Sequence, residues 1–364
     1  MLIFSLTSCL DQIDLAPTSG QENALVVQGV LLKGNPSQVS IRIDRVFNFS
    51  PSSFGKVSAF EGYIIDQDGT RLKLAPRGEG LLQLDIPNNQ PDFPIEYNRA
   101  YRIELQMPNG NIIVSELEPL LPVPKVDSIH WERVLKFVPD PLDEDKSILD
   151  TFIRFSIDTQ LKLKSQTDYG RFRWLGDRTF KITELPQFGG IRDTCYISES
   201  TAVFGPKLYD GNVLKNDYLN QQVIYDQLLN FKLAEGYVFS VYQESLSEGA
   251  FTYWDQIGQT LNRTGNMFET PAGITFSNIS YENNQTENIY GYFYCTERDT
   301  LHRYIPPMDI VPPVDSFCPR FIGGQNLEIP QICLQCEIVN RSVTRPPPFW
   351  ITGFSFPTML LWGL

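Results

Sequence analysis

The chain has 364 residues, of which 42% are hydrophobic, 12% aromatic and 20% charged, and its formal net charge is −13. This composition describes a folded globular body rather than a disordered chain, and the acidic balance argues against a nucleic-acid partner, because phosphate binding needs a positive surface. No stretch reaches the roughly 18–20 consecutive apolar residues that a membrane-spanning helix requires, while 24 Phe, 16 Tyr and 26 Pro favour sheet and structured loops.

The first element in chain order is FSLTSCLDQ, residues 4–12. Leu6, Thr7 and Ser8, one apolar residue and two small ones, precede Cys9. That order resembles the lipobox of bacterial lipoproteins, in which a peptidase cuts before the cysteine and the sulfur carries a diacylglycerol. On this reading residues 1–8 are a signal-peptide remnant, Cys9 is the lipidation site and membrane anchor, and the polar residues 9–23 are a lipidated tether. Two or more acyl chains are needed for firm anchoring. Residues 1–8 contain no Lys or Arg, whereas a signal peptide has a basic leading region, so the start of translation is expected upstream.

Sheet-like segments follow. ALVVQGVLL (24–32) is a continuous apolar run, and in QVSIRID (38–44) Val39, Ile41 and Ile43 alternate with polar residues, the period of a half-buried strand. AFEGYIIDQDGTRLKL (59–74) places Asp68-Gly69 between two strand-like runs, a hairpin signal. YRIELQMPNGNIIVSEL (101–117) repeats the plan around Pro108-Asn109-Gly110. Strands at this spacing predict an all-β architecture that begins with an Ig-like β-sandwich over 24–118. The three prolines of PLLPVPKVDS mark a Pro-rich connector over 119–125.

Residues 126–350 are again strand-rich and are expected to form a larger β-sandwich or barrel-like domain with one or two short helices. FIRFSID (152–158), YGRFRWLGDRTFKIT (169–183), YVFSVYQ (237–243) and IYGYFYC (289–295) read as strands, and in the second of these Phe172 and Trp174 alternate with Arg171 and Arg173. SEGAFTYWDQIGQTLNRTG (247–265) predicts a helix, with Ser247 as N-cap, Ala250, Trp254, Ile257 and Leu261 on one core-facing stripe, and Gly265 as the stop. RPPPFW (345–350) should be extended, and the apolar tail 351–364 reads as a last core strand or as a segment that docks on a membrane partner.

Little catalytic chemistry is legible. The sequence contains no nucleophile elbow, P-loop, zinc-protease helix or dinucleotide fingerprint. With only His130 and His302, histidine triads and metal clusters are almost excluded. DEDKSILD (143–150) superficially matches a calcium loop, but it lacks the sixth-position glycine and carries Arg154 where the twelfth-position acid belongs, so it reads as a solvated charge run. Besides Cys9 there are five cysteines, Cys195, Cys295, Cys318, Cys333 and Cys336; in an exported chain these are disulfide candidates, with at least one left free. A bridge is expected within Cys318, Cys333 and Cys336, whose pairing stays open among three choices, and a zinc site there would want a fourth ligand. Asn262, Asn278 and Asn284 match the glycosylation pattern and are read as coincidence. No catalytic residue, metal ligand or cofactor is assigned.

The lipobox, the order LVVQGVLL, VSIRIDR, VSAFEGYIIDQDGTRLKL, YVFSVYQESLSEGAFTYWDQI and ENIYGYFYC, and the closing CLQC…PPPFW resemble the Bacteroidota outer-membrane lipoproteins of domain of unknown function family 4249. The Q-x-SLS-x-x-A-x-x-YW block at 243–254 and the G-N-x-F block at 265–268 are the most specific parts. The resemblance implies an outer-membrane, lipid-anchored and surface-exposed location beside an outer-membrane β-barrel protein, and it carries no catalytic or binding residues. The expected function is therefore a non-enzymatic accessory subunit of a SusC-type TonB-dependent transporter or of outer-membrane protein assembly machinery. The alternatives are capture of a glycan or peptide by exposed aromatics around Trp131, Trp174 or Tyr237, and a hydrolase with a carboxylate pair.

Overall fold

A computed structural model of the chain describes residues 24–45, 57–163, 169–185, 193–202, 205–261, 277–283, 289–318 and 329–350. The strands of the first part are β1 Leu25–Lys33, β2 Ser37–Arg45, β3 Glu61–Asp66, β4 Arg71–Lys73, β5 Ala75–Gly78, β6 Leu81–Ile86, β7 Ala100–Gln106, β8 Ile112–Ser115 and β9 Glu118–Pro119. Those of the second are β10 Val126–Asp140, β11 Asp143–Gln160, β12 Arg171–Thr183, β13 Thr194–Ser200, β14 Lys207–Asp210, β15 Tyr218–Leu228, β16 Tyr237–Leu246, β17 Ile279–Tyr281, β18 Ile289–Ile305 and β19 Ser342–Val343. Two α-helices accompany them, the single turn α1 Gly211–Leu214 and the longer α2 Glu248–Leu261.

Alternation decides the faces. On β2, Val39, Ile41 and Ile43 are fully buried, and on β7, Tyr101, Ile103 and Leu105 are fully buried while Arg102 and Glu104 point away. The β3–β4 turn uses its acidic residue directly: Asp66 Oδ1 accepts hydrogen bonds from the backbone N–H groups of Asp68 (3.0 Å) and Thr70 (2.8 Å). Gly69 then takes φ +88°, a conformation that costs a residue with a Cβ.

The architecture is all-β and sandwich-like. A ten-stranded sheet runs in the order β19-β13-β12-β16-β18-β1-β2-β6-β5, with β14 also on β12, and forms the common layer. One end of its inner face packs on the six-stranded sheet β17-β8-β7-β3-β4 (β9 on β7), burying Val27, Leu31 and Phe293 against Ile64, Ile103 and Ile113. The other end packs on the three-stranded sheet β10-β11-β15, burying Phe172, Phe180 and Phe239 against Ile153, Phe155 and Ile157. Among the described residues no sheet closes on itself, so the larger part is a sandwich and not a barrel.

The connector at 119–125 does not separate two independent sheets. β18 pairs in parallel with β1 from Leu25↔Ile289 to Lys33↔Glu297, and β17 pairs with β8, so late strands complete both layers of the first sandwich. The connector is clasped in between: Pro122 O accepts from Ser245 Oγ and Pro124 O from Gln243 Nε2, each at 2.7 Å.

Helix α2 begins where its cap predicts. Ser247 Oγ accepts from Ala250 N at 3.0 Å and donates in turn to Glu118. Ala250 and Tyr253 are buried, Trp254 and Ile257 pack beside them, and Leu261 at the end of the stripe is exposed; Gly265 lies outside the described residues. The RPPPFW segment covers the far end of the ten-stranded sheet's outer face. Trp350 stands edge-on to Tyr196 (4.9 Å) and Tyr304 (5.5 Å), and Phe349 stacks on His302 (4.4 Å).

Candidate functional site

The most distinctive surface is a projecting arm. Strand β10 has 15 residues and β11 has 18, whereas β15 accompanies β11 only from Gln160↔Tyr218 to Phe152↔Leu228. Beyond that point the arm is a two-stranded ribbon running to the turn at 140–143. Residues directly opposed across an antiparallel pair share a face. The register Leu135↔Thr151 and Phe137↔Leu149 therefore sets three large apolar side chains on one side, 61%, 76% and 53% exposed for Leu135, Phe137 and Leu149. Leu142 at the tip is 94% exposed and is flanked by Asp140, Asp143 and Asp145. On the opposite face Lys136 reaches Asp226 at 3.0 Å, where Arg154 also binds at 3.0 Å, and this pins the base of the arm to β15.

A bare two-stranded ribbon is marginal in water, and its unpaired edges and apolar side chains are open to association. Sequence reasoning found the strand at 152–158 and read 143–150 as solvated charge; both belong to β11, and Asp145 and Lys146 are exposed. The available signal was the apolar run Val134-Leu135-Lys136-Phe137-Val138, which marks a strand but cannot tell that, among the described residues, no second layer covers one face.

The other expected residues are placed as follows. Cys9, its tether, the glycosylation-like Asn262 and Asn284, the G-N-x-F block and the tail 351–364 lie outside the described residues. Cys318 and Cys333 are bridged, with Cα atoms 5.4 Å apart, whereas Cys336 leaves that trio and bonds Cys195 on β13, Cα–Cα 5.8 Å. Cys295 is free and buried in the first core, and burial pushes its thiol pKa well above the ordinary value. Glu184 comes within 4.8 Å of the Cys195 and Cys336 sulfurs, but these are joined to each other and its carboxylate accepts from Cys336 N at 2.6 Å. A disulfide offers no thiolate, so neither this group nor the Cys333–Cys336 pair is a zinc site.

His130 Nε2 lies 2.6 Å from Asp158 Oδ2 and 2.9 Å from Ser128 Oγ. A Ser, a His and an Asp thus meet, yet both oxygens use the same ring nitrogen; a nucleophilic triad needs the acid and the hydroxyl on opposite nitrogens. Of the aromatics proposed as a capture surface, Trp174 and Tyr237 are core residues, with Trp174 Nε1 donating to Gln243 at 2.7 Å, and Trp131 packs against the same core. Asn278 is buried, donating to Phe293 O (2.8 Å) and accepting from Phe293 N (3.0 Å), so its amide is committed to the fold.

One buried carboxylate is unusual for its partners. Glu118 on β9 accepts from Ser247, from the Tyr292 hydroxyl and from Asn278 (3.4 Å), all uncharged donors. Burial outweighs these bonds and raises its pKa above the ordinary carboxylate value. Glu244 on β16 is the contrasting case. Burial would raise its pKa, but Arg173 and Arg298, its cross-strand neighbours on β12 and β18, hold it below the usual range.

No curated protein matches the chain. A family model described as a domain of unknown function (DUF4249) matches residues 11–301, well over half of the sequence, and the chain belongs to that family.

Proposed function

We propose that the protein is a non-enzymatic accessory subunit, anchored by lipid on Cys9 at the outer-membrane surface, which docks through the β10–β11 arm onto an outer-membrane β-barrel protein. The barrel would be a TonB-dependent transporter of the SusC type or part of the machinery that assembles outer-membrane proteins. The observation that carries this reading is the row Leu135, Phe137 and Leu149, exposed on an arm that has no second layer among the described residues. The acidic tip around Leu142 suits a partner face in which Lys or Arg residues ring an apolar patch. The lipobox and the family resemblance support the proposed location.

The test is affinity purification of the full chain from solubilised outer membranes, beside a Phe137→Glu variant. A β-barrel protein recovered with the wild type and lost with the variant is the expected result. Recovery of the wild-type protein alone would sink the proposal. The anchor is tested separately, since Cys9→Ser should release the protein from the membrane fraction and remove the lipid mass from its N-terminus.

A further inference from the structure

The outer face of the ten-stranded sheet, opposite the first core, carries a cleft of about 510 Å³ that is independent of the arm. Its floor is the outward side of β6, β2, β1, β18 and β12, and α2 forms one wall. Much of the lining is apolar, including Val30, Leu175 and Ile257. Its polar character is set by two arginines, Arg42 from β2 and Arg173 from β12, and no carboxylate is among the described lining residues.

Arg173 is the key group. It is only 3% exposed, its Nε donates to Glu244 at 3.0 Å, and its Nη2 donates to Glu244 and to the Tyr294 hydroxyl. The Trp254 ring lies 3.9 Å from the guanidinium. Glu244 is shared with Arg298, whose Nε donates to it at 3.0 Å, so two arginines share a single carboxylate, while Arg42 lines the same cleft without a carboxylate beside it in the lining.

One buried donor at this cleft has no acceptor among the described residues. The buried Trp254 Nε1–H has no partner. The Tyr294 hydroxyl beside it accepts from Arg173. A buried donor is normally satisfied, so an unsatisfied one beside two guanidiniums that line the cleft calls for a ligand that only accepts. A carboxylate does that and pairs with a guanidinium; the apolar floor and wall want a hydrocarbon body beside it. The volume suits a molecule of small-ligand size.

We propose that this cleft binds a small amphipathic carboxylate, its head held by Arg173, Arg42, Trp254 Nε1 and Tyr294, and its apolar body laid along α2. The test is calorimetric titration of the full chain with hydrocinnamate, its neutral amide hydrocinnamide, and glucuronate. Hydrocinnamate should bind about tenfold or more tightly than the amide, the scale of one charge-assisted contact, and more tightly than the sugar acid. Arg42→Gln, on an exposed side chain, should weaken the acid about tenfold and the amide by clearly less. Trp254→Phe, which keeps a ring but removes the N–H, should also weaken the acid. The proposal is overturned by equal affinities for acid and amide, by preference for glucuronate, by wild-type binding in Arg42→Gln, or by no binding of any carboxylate up to about millimolar concentration.

Discussion

Removing the two disulfides one at a time should cost unequal amounts, and the inequality follows from where they join the chain. Cys195–Cys336 closes a loop with a sequence separation of 141, and Cys318–Cys333 one of 15. In the chain-entropy description the cross-link restricts the unfolded ensemble by an amount that grows with the logarithm of loop length. That gives about 5 kcal/mol for the long loop and about 3 kcal/mol for the short one. Packing losses do not explain the difference, because all four cysteines are buried in the same core. The nesting of the short loop inside the long one changes the long value little, since the bridge at Cys318–Cys333 shortens the path by only a small fraction. The paired variants Cys195→Ala with Cys336→Ala, and Cys318→Ala with Cys333→Ala, should be compared with wild type by urea unfolding under oxidising conditions. The first pair should lose about 2 kcal/mol more than the second. Equal losses, or a larger loss for the short loop, would refute the loop-length argument. The stabilisation would then lie in native contacts such as Leu185 N to Cys333 O (2.9 Å) and Cys336 N to Glu184.

Three further outcomes test the buried polar groups. Glu244→Gln leaves Arg173 buried without its counter-ion and should cost about 3–5 kcal/mol in urea unfolding; Arg298→Ala, on a partly exposed partner, should cost less. Cys295 should resist iodoacetamide in the native protein, and peptide mapping should find it alkylated once urea is added without reductant. Glu118 has a folded-state pKa above its ordinary value of 4.5, so ionising it opposes folding. The penalty is absent below 4.5 and grows as pH rises through the folded-state pKa. The stability of Glu118→Gln minus that of wild type should accordingly increase with pH above 4.5, and a flat or falling difference would contradict the assignment.

Much of the fold was legible because its signals are local. The alternation in β2 and β7 and the Asp68-Gly69 turn depend on neighbours in sequence. The pairing of β1 with β18 and of Cys195 with Cys336 has no local signature, since each joins segments whose contact is decided by the whole topology. Arg173 shows the limit of pattern reading. Its alternation with Phe172 and Trp174 correctly puts it on the other face, but a polar residue on an outer face is expected in water. Here α2 and Tyr294 cover that face and bury the guanidinium. Periodicity separates two faces of a strand; it cannot say which of them stays wet. The arm is the converse, an apolar run that reads as core on a face that no other described element covers.

The cleft and the arm meet on one strand, which makes their independence a question of mechanics. β18 gives Tyr294 to the cleft, Arg298 to the Glu244 row and Asp299 to the arm, where its carboxylate accepts from Val126 N at 2.7 Å at the first residue of β10. A ligand can influence the arm only through an element with two arrangements whose energies differ between free and bound states. Between Tyr294 and Asp299 the chain is continuous strand, paired to β1 up to Glu297 and to β16 from Arg298, and Thr296 Oγ1 donates to Ser245 O at 2.9 Å. Sliding that stretch by one residue would exchange its faces and put Tyr292 and Tyr294 into the first core in place of Phe293 and Cys295. Such an alternative is far too costly to be populated, so the strand ties the two surfaces together without coupling them. Saturating hydrocinnamate should therefore leave recovery of the proposed barrel partner by the full chain unchanged, and Phe137→Glu should leave hydrocinnamate affinity unchanged. A change beyond about threefold in either measurement, roughly 0.7 kcal/mol of coupling, would show that the strand or its surroundings has a second arrangement.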